Sequence, residues 1–143
     1  MRLMIAHRGN LDGRNISWEN SPDYIAKALG FGYSVEIDVW CLYGKFFLGH
    51  DTPQYTIDYE FLRQPHLWIH CKNIEAMALL SDDESLNIFA HKSGIAITTK
   101  GYLWTAPGEI ITRKSIAVMP ELMPDWDIEN AYGICTDYPF KYI

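Results

Sequence analysis

Short apolar runs recur along this chain at residues 3–6, 34–39, 46–48, 67–71, 86–90, 102–105, 115–119 and 133–136, each closing on or next to a polar or ionisable residue. Runs this brief, between turn signals and rich in β-branched and aromatic residues, fit buried strands better than buried helices. The chain is therefore constrained to a core of about seven or eight strands. Between the first of them lie helical patterns. Residues 22–29 predict a helix with Ser21 as N-cap, Pro22 in its first turn and Gly30 as a stop. A second helix is predicted over 57–63, and a third over 74–80 after Asn73 and before an acidic turn at 81–84. Strands alternating with helices imply an α/β fold with a mainly parallel sheet. After Leu86 the rhythm changes, because 95–98 and 102–105 are joined only by Thr99, Lys100 and Gly101. That link is too short for a parallel crossover and predicts a hairpin or one bent strand. Pro107, Gly108 and Pro124 argue against helix in 106–114 and 122–132, so the second half is expected to be helix-poor.

At 143 residues and 48% hydrophobic, the chain fits one domain, 1–143, able to bury a core of its own. Its net charge of −6 offers no footprint for a polyanion, so nucleic acid is not an expected partner. Cys41, Cys71 and Cys135 are odd in number and widely spaced, which argues against both a disulfide framework and a CxxC metal site. A reducing cytoplasm is the expected location. No apolar run approaches the roughly 20 residues of a membrane span.

Chemistry concentrates where the apolar runs end. If 34–39 is a strand, Glu36 and Asp38 project from one face with Ile37 opposite, because side chains alternate with period two. Apolar neighbours on both sides imply that both faces of this strand are covered. A buried carboxylate without a partner is costly, so a metal or a cationic partner is needed, and a metal is the reading favoured here. The same parity places His70 and Lys72 together, and His7 follows the first run. In parallel α/β architectures, residues at the carboxyl ends of strands gather into sites. A lone histidine near an apolar segment is more often a hydrogen-bonded structural residue, and that is the default for His66 and His91.

In order and spacing, His7-Arg8-Gly9, Glu19-Asn20-Ser21, Glu36-Ile37-Asp38-Val39 and Gly49-His50-Asp51 resemble the glycerophosphodiester phosphodiesterase family. The C-terminal Gly133-Ile134-Cys135-Thr136-Asp137-Tyr138-Pro139 resembles that family's last-strand signature, and Trp104-Thr105 its late Trp-Thr. The resemblance implies a TIM-type barrel, here compact and trimmed to about seven or eight mostly parallel strands. It implies a metal-dependent phosphodiester hydrolase acting on a small soluble alcohol-phosphate diester. His7 and His50 would be the general acid and base, and one divalent ion, Mg²⁺ or Ca²⁺, would be held by Glu36 and Asp38. Glu19 would be a further ligand or a group orienting substrate, and Arg8 would contact phosphate. The residue types suit this chemistry, since imidazole can both take and give a proton near neutrality and a divalent ion offsets charge building on phosphoryl oxygens.

Two departures from the family stand out. Where the family has Glu-x-Lys on its third strand, this chain has His70-Cys71-Lys72. His70 then stands at a metal-ligand position, which admits Mn²⁺ or Zn²⁺ as well, while Lys72 is kept as a point charge for phosphate. The chain is also far shorter than the roughly 250 residues usual for such barrels, so apolar strand surface needs cover from a loop or from a second copy in a homodimer. In that setting His91 and Glu121 are candidates for substrate contact at strand ends. Trp104 either lines the mouth or fills core. Two other functions fit the same residues. One is a non-catalytic phosphate-ligand binding module, and the other is a phospholipase-like lyase that releases a cyclic phosphate.

Overall fold

The computed structural model describes residues 2–142. Ten strands form a single sheet: β1 (Leu3–His7), β2 (Ser34–Leu42), β3 (Lys45–Leu48), β4 (Tyr55–Ile57), β5 (Leu67–Cys71), β6 (Ile88–Phe89), β7 (Ile95–Ile97), β8 (Leu103–Thr105), β9 (Ser115–Val118) and β10 (Gly133–Thr136). Three α-helices accompany them, α1 (Pro22–Gly30), α2 (Tyr59–Leu62) and α3 (Ile74–Leu80), with short 3₁₀ turns at Pro120–Leu122 and Pro139–Tyr142. The order β6-β5-β2-β1-β10-β9-β8 is parallel throughout, whereas β2-β3, β3-β4 and β7-β8 are antiparallel.

The trimmed TIM-type barrel is not the fold this chain adopts. Its sheet is a mixed, curled half-barrel, and among the described residues α-helix is confined to the stretch before Ser81. The departure has two causes. Tyr43-Gly44 turns β2 back as a hairpin, with both residues in the left-handed region that such turns require. Beyond α3 the connections are short or proline-bearing and cannot supply the helical crossovers that a helix-rich barrel needs. The hairpin runs β2 to Leu42, past the expected end at Val39, and the unforeseen β4, Tyr55–Ile57, ends on the residue where a helix was expected to start, so α2 begins at Tyr59.

Parity divides the side chains into two cores. On the convex face Ala6, Val35, Ile37, Val39, Ile69 and Cys71 pack with Ile25 and Ala28 of α1 and Ala76 and Leu80 of α3. On the concave face Ile5, Trp68, Phe89, Trp104, Ile116 and Cys135 form a second cluster. Trp104 of β8 meets Phe89 of β6 with ring centroids 4.4 Å apart and Trp68 of β5 at 6.0 Å. Those strands lie at opposite ends of the parallel run, so their rings can meet only because the sheet curls. The Thr99 N–H donates to the Ile88 carbonyl across the same seam.

Local capping follows the sequence. Ser21 accepts from the Tyr24 N–H at the start of α1, with Pro22 next to it. Asn73 caps α3 through Ala76 and also exchanges two bonds with the Cys41 backbone, tying the helix to the end of β2. Asn73→Ala is expected to lower stability by about 2–3 kcal/mol, since it removes a cap and strands two backbone groups. A shift of the urea midpoint at constant slope would register it, and a change below about 0.5 kcal/mol would refute the tie. Among the described residues, no helix is long and apolar enough to cross a membrane.

Candidate active site

Residues in register on adjacent parallel strands share a face, and this rule assembles the site. His7 lies beside Glu36, Glu36 beside Trp68, Asp38 beside His70 and His70 beside Phe89. Four ionisable groups thus cap one end of the concave aromatic core. Glu36 and Asp38 are almost fully buried, and each offers an oxygen near the His70 ring. His70 Nδ1 lies 3.1 Å from Asp38 Oδ1 and 3.7 Å from Glu36 Oε2. One ligand atom from each of the three residues falls within 4.8 Å of the others.

The turn that follows β1 supplies the cations. Arg8 adopts φ 56° and Gly9 φ 87°, and a Cβ on Gly9 would stand 2.9 Å from the Tyr24 ring, so only glycine fits there. This turn folds Arg8 inward, where it is 9% exposed. Its Nη1 donates to Glu19 Oε1 at 3.0 Å, its Nη2 bonds His50 Nε2 at 3.2 Å, and its Nε sits 3.4 Å from Asp38 Oδ2. Asn20 clamps Asp38 at two points, accepting from its backbone N–H and donating to Oδ2, each at 2.9 Å. His50 is set by the loop after β3, where the Trp40 indole donates to the Gly49 carbonyl at 2.7 Å. A Cβ on Gly49 would lie 1.9 Å from the Thr52 carbonyl oxygen, so the loop closes only around glycine.

Each imidazole is held differently. His7 Nδ1 is 2.8 Å from Asp137 Oδ1, which directs Nε2 toward the site, 3.9 Å from Glu36 Oε1. Burial works against charging this ring, but the Asp137 bond and the Glu36 charge outweigh it and raise its pKa. His70 Nε2 bonds the His91 carbonyl at 3.2 Å, and its ring stacks on Phe89. Burial again opposes charge, yet Asp38 and Glu36 lift its pKa to about 9. Asp38, despite its burial, is held well below the usual carboxylate range by the His50 and His70 rings and by Asn20. Its Oδ1, Arg8 Nε and His50 Nδ1 make no aligned hydrogen bond and rest on ion-pair contacts alone, Oδ1 3.1 Å from His70 Nδ1, and Arg8 Nε 3.4 Å and His50 Nδ1 3.5 Å from Asp38 Oδ2. Buried polar atoms without an aligned hydrogen bond are uncommon, and their gathering around Asp38 suits a site that accepts a ligand or ion.

Glu36, Asp38 and His70 fit a divalent cation. The donors are two carboxylate oxygens and one nitrogen, a set open to transition ions as well as to Mg²⁺. With Nε2–H given to the His91 carbonyl, loss of the Nδ1 proton to a bound ion would leave the Nδ1 lone pair as ligand, the other ring N–H being donated as it commonly is in metal-binding histidines. Glu19 stands apart from them. It takes bonds from Arg8, Asn10 at 2.9 Å and Arg14 at 3.3 Å, which together overcome its burial and hold its carboxyl at about 2.

A pH dependence follows. A carboxyl whose pKa is depressed on folding stabilises the protein above its unfolded value near 4.5, and that contribution is lost as pH falls through about 2. Glu19→Gln should therefore be less stable than wild type at pH 6 by on the order of 3 kcal/mol, with the gap closing progressively below pH 4. Urea unfolding at several pH values in EDTA reads this directly, and a gap unchanged by pH would exclude the charge as its cause.

The remaining candidates fall in several places. His91 meets the cluster through its backbone carbonyl, while its own Nε2 bonds the Gly94 carbonyl at 3.0 Å. Lys72 follows β5, half-buried, and its ammonium joins no bond of the cluster. Trp104 is buried in the concave core. Glu121 accepts from Thr136 Oγ1 at 2.7 Å and from the Asp137 N–H at 3.3 Å, so it braces the loop that carries Asp137. It also borders a cavity of about 690 Å³ that reaches His7 and Arg8 but not the Glu36, Asp38 and His70 group. Asp137, Asn10 and Asn20 are site residues that the sequence reading assigned no role. Asp137 was legible in principle, because it follows β10 as His7 ends β1, and those strands pair in parallel at Ala6 and Thr136. No family model, curated protein or solved structure matches the chain.

Proposed function

We propose that the chain is a metal-dependent phosphodiester hydrolase of the glycerophosphodiester phosphodiesterase type. The observation that carries this reading is the convergence of Glu36, Asp38 and His70 beside the Asp137-oriented His7. Glu36, Asp38 and His70 would hold one divalent ion, which when bound offsets charge on the phosphoryl oxygens. His7 Nε2 takes the proton of the attacking hydroxyl, which comes either from water or from a neighbouring group of the substrate. Asp137 keeps Nδ1–H in place and stabilises the imidazolium that forms. As the new P–O bond forms, the bond to the leaving alkoxide breaks and that oxygen takes a proton from His50. In the resting site His50 Nε2 accepts from Arg8 Nη2; when Arg8 turns to the phosphate, Nε2 is freed to take up a proton from solvent and pass it to the leaving alkoxide. The His50 and Arg8 roles follow from the family resemblance, and the contact between those two side chains is compatible with them.

The test is hydrolysis of bis(p-nitrophenyl) phosphate with EDTA and with each of Mg²⁺, Ca²⁺, Mn²⁺ and Zn²⁺. Cleavage abolished by the chelator and restored by one of the ions supports the proposal, whereas equal rates with and without EDTA refute the metal role. Phosphorus NMR separates hydrolysis from release of a cyclic phosphate. A second reading, phosphate-ligand binding without turnover, draws support from Arg8 and His70, which already offset the buried carboxylates. Thermal shifts with phosphate esters and no cleavage under any ion would favour it.

A further inference from the structure

The cavity beside His7 has walls of two chemical kinds. On one side the 3₁₀ turn Pro120–Leu122 presents Met119 and Leu122, and on the other the C-terminal turn presents Tyr138 and Tyr142. Leu122 is 70% exposed. Arg14 and Lys141 add two cations to the same lining. Lys141 Nζ is held 4.4 Å over the Tyr138 ring, and Arg14 is held on Glu19.

The apolar wall is pre-formed. Met119 sits at φ 52°, in the left-handed region that costs a non-glycine residue strain, and its N–H donates to the Cys135 carbonyl at 2.7 Å. The bonds from Thr136 and Asp137 to Glu121 pin the turn from the other side. A strained, doubly anchored turn that holds a leucine out over a cavity is poorly explained by packing alone. Small-molecule sites combine apolar walls with a few placed polar groups, and about 690 Å³ lies well within their usual range. A glycerol or other short polyol would leave Met119, Leu122 and Tyr142 in contact with water.

Resting on the phosphodiesterase reading, we infer that the substrate is an amphiphilic phosphodiester, with an alkyl or aryl substituent lying between Leu122 and Tyr142. Its phosphate faces His7, and Arg14 and Lys141 supply positive charge around it. The complementarity is between one anionic group and one apolar arm, which sets this cavity apart from a site for a fully polar diester.

Octylphosphocholine and glycerophosphocholine share the choline phosphate, so any interaction of the quaternary ammonium with the tyrosines cancels between them. Binding is measured by calorimetry in EDTA, and turnover by phosphorus NMR in the activating ion. The octyl diester is expected to bind at least tenfold more tightly. Leu122→Asp and Tyr142→Ala should each lower the octyl-to-glycerol ratio roughly tenfold, the scale of a lost apolar contact in a pocket. Equal affinity for the two diesters, or a ratio unmoved by both variants, overturns the inference while cleavage of either leaves the phosphodiesterase reading standing. Selective octyl binding without cleavage in any ion supports the amphiphile site and sinks the hydrolase. Absence of binding and cleavage for both diesters refutes both.

Discussion

A His7→Ala variant is expected to cleave phosphodiesters about 10² to 10⁴-fold more slowly than wild type, the range that positioned acid-base groups contribute. The loss should fall on kcat, because the ring acts on a proton in flight and holds no part of the bound ground state. His7 is well placed for this role. Its Nδ1 is fixed by Asp137 at 2.8 Å, Asn10 donates to the same Asp137 oxygen at 2.9 Å, and Tyr24 donates to Asn10 at 3.0 Å. Asp137→Asn should fall between wild type and His7→Ala, since an amide still holds the ring but no longer stabilises its cation. Because His7 closes a strand whose pairing is made by backbone groups, the variant should keep its far-ultraviolet dichroism and its metal content. A variant that retains activity within tenfold of wild type would remove His7 from the mechanism.

Arg8→Ala is the second large effect, a loss of about 3–5 kcal/mol in the metal-free protein. One guanidinium here serves Glu19, Asp38 and His50 at once, from a site almost closed to water. Deleting it leaves two buried carboxylates short of positive charge, and the desolvation they have already undergone is no longer offset. Arg8→Lys should recover only part of the loss, since a single ammonium cannot span three partners in a fixed fork. Urea unfolding in EDTA measures both variants. A change below about 1 kcal/mol for Arg8→Ala would mean that Arg14, Asn10, Asn20 and His70 suffice for the cluster. Added divalent ion should narrow the gap, because an ion between Glu36, Asp38 and His70 takes over part of the same electrostatic task.

Legibility in the sequence varied with the range of the interaction. The caps Ser21 and Asn73 and the alternation that puts Glu36 and Asp38 on one face are decided within a few residues, and each could be read directly. The hairpin at Tyr43-Gly44 was missed because apolar residues continue through Cys41 and Leu42, so nothing in the pattern marks where strand pairing changes from parallel to antiparallel. Lys72 shows the limit of parity. It shares a phase with His70 but lies beyond the end of β5, where alternation no longer governs direction.

The sequence by itself determined which residues could be buried, where most of the strands lie, and that His7, Glu36, Asp38 and His70 stand at or near strand ends. Those properties depend on side-chain chemistry and on a period of two. Only the tertiary structure decided that the sheet curls into an open, mixed half-barrel, that Asp137 orients His7, and that Glu19 is committed to Arg8, Arg14 and Asn10. Curling is set by rings from β5, β6 and β8 meeting across the concave face, a contact between strands at opposite ends of the parallel run. His7 meets Asp137, 130 residues away in the chain, because β1 and β10 pair in parallel, and Glu19 meets Arg8, Asn10 and Arg14 through the turn after β1.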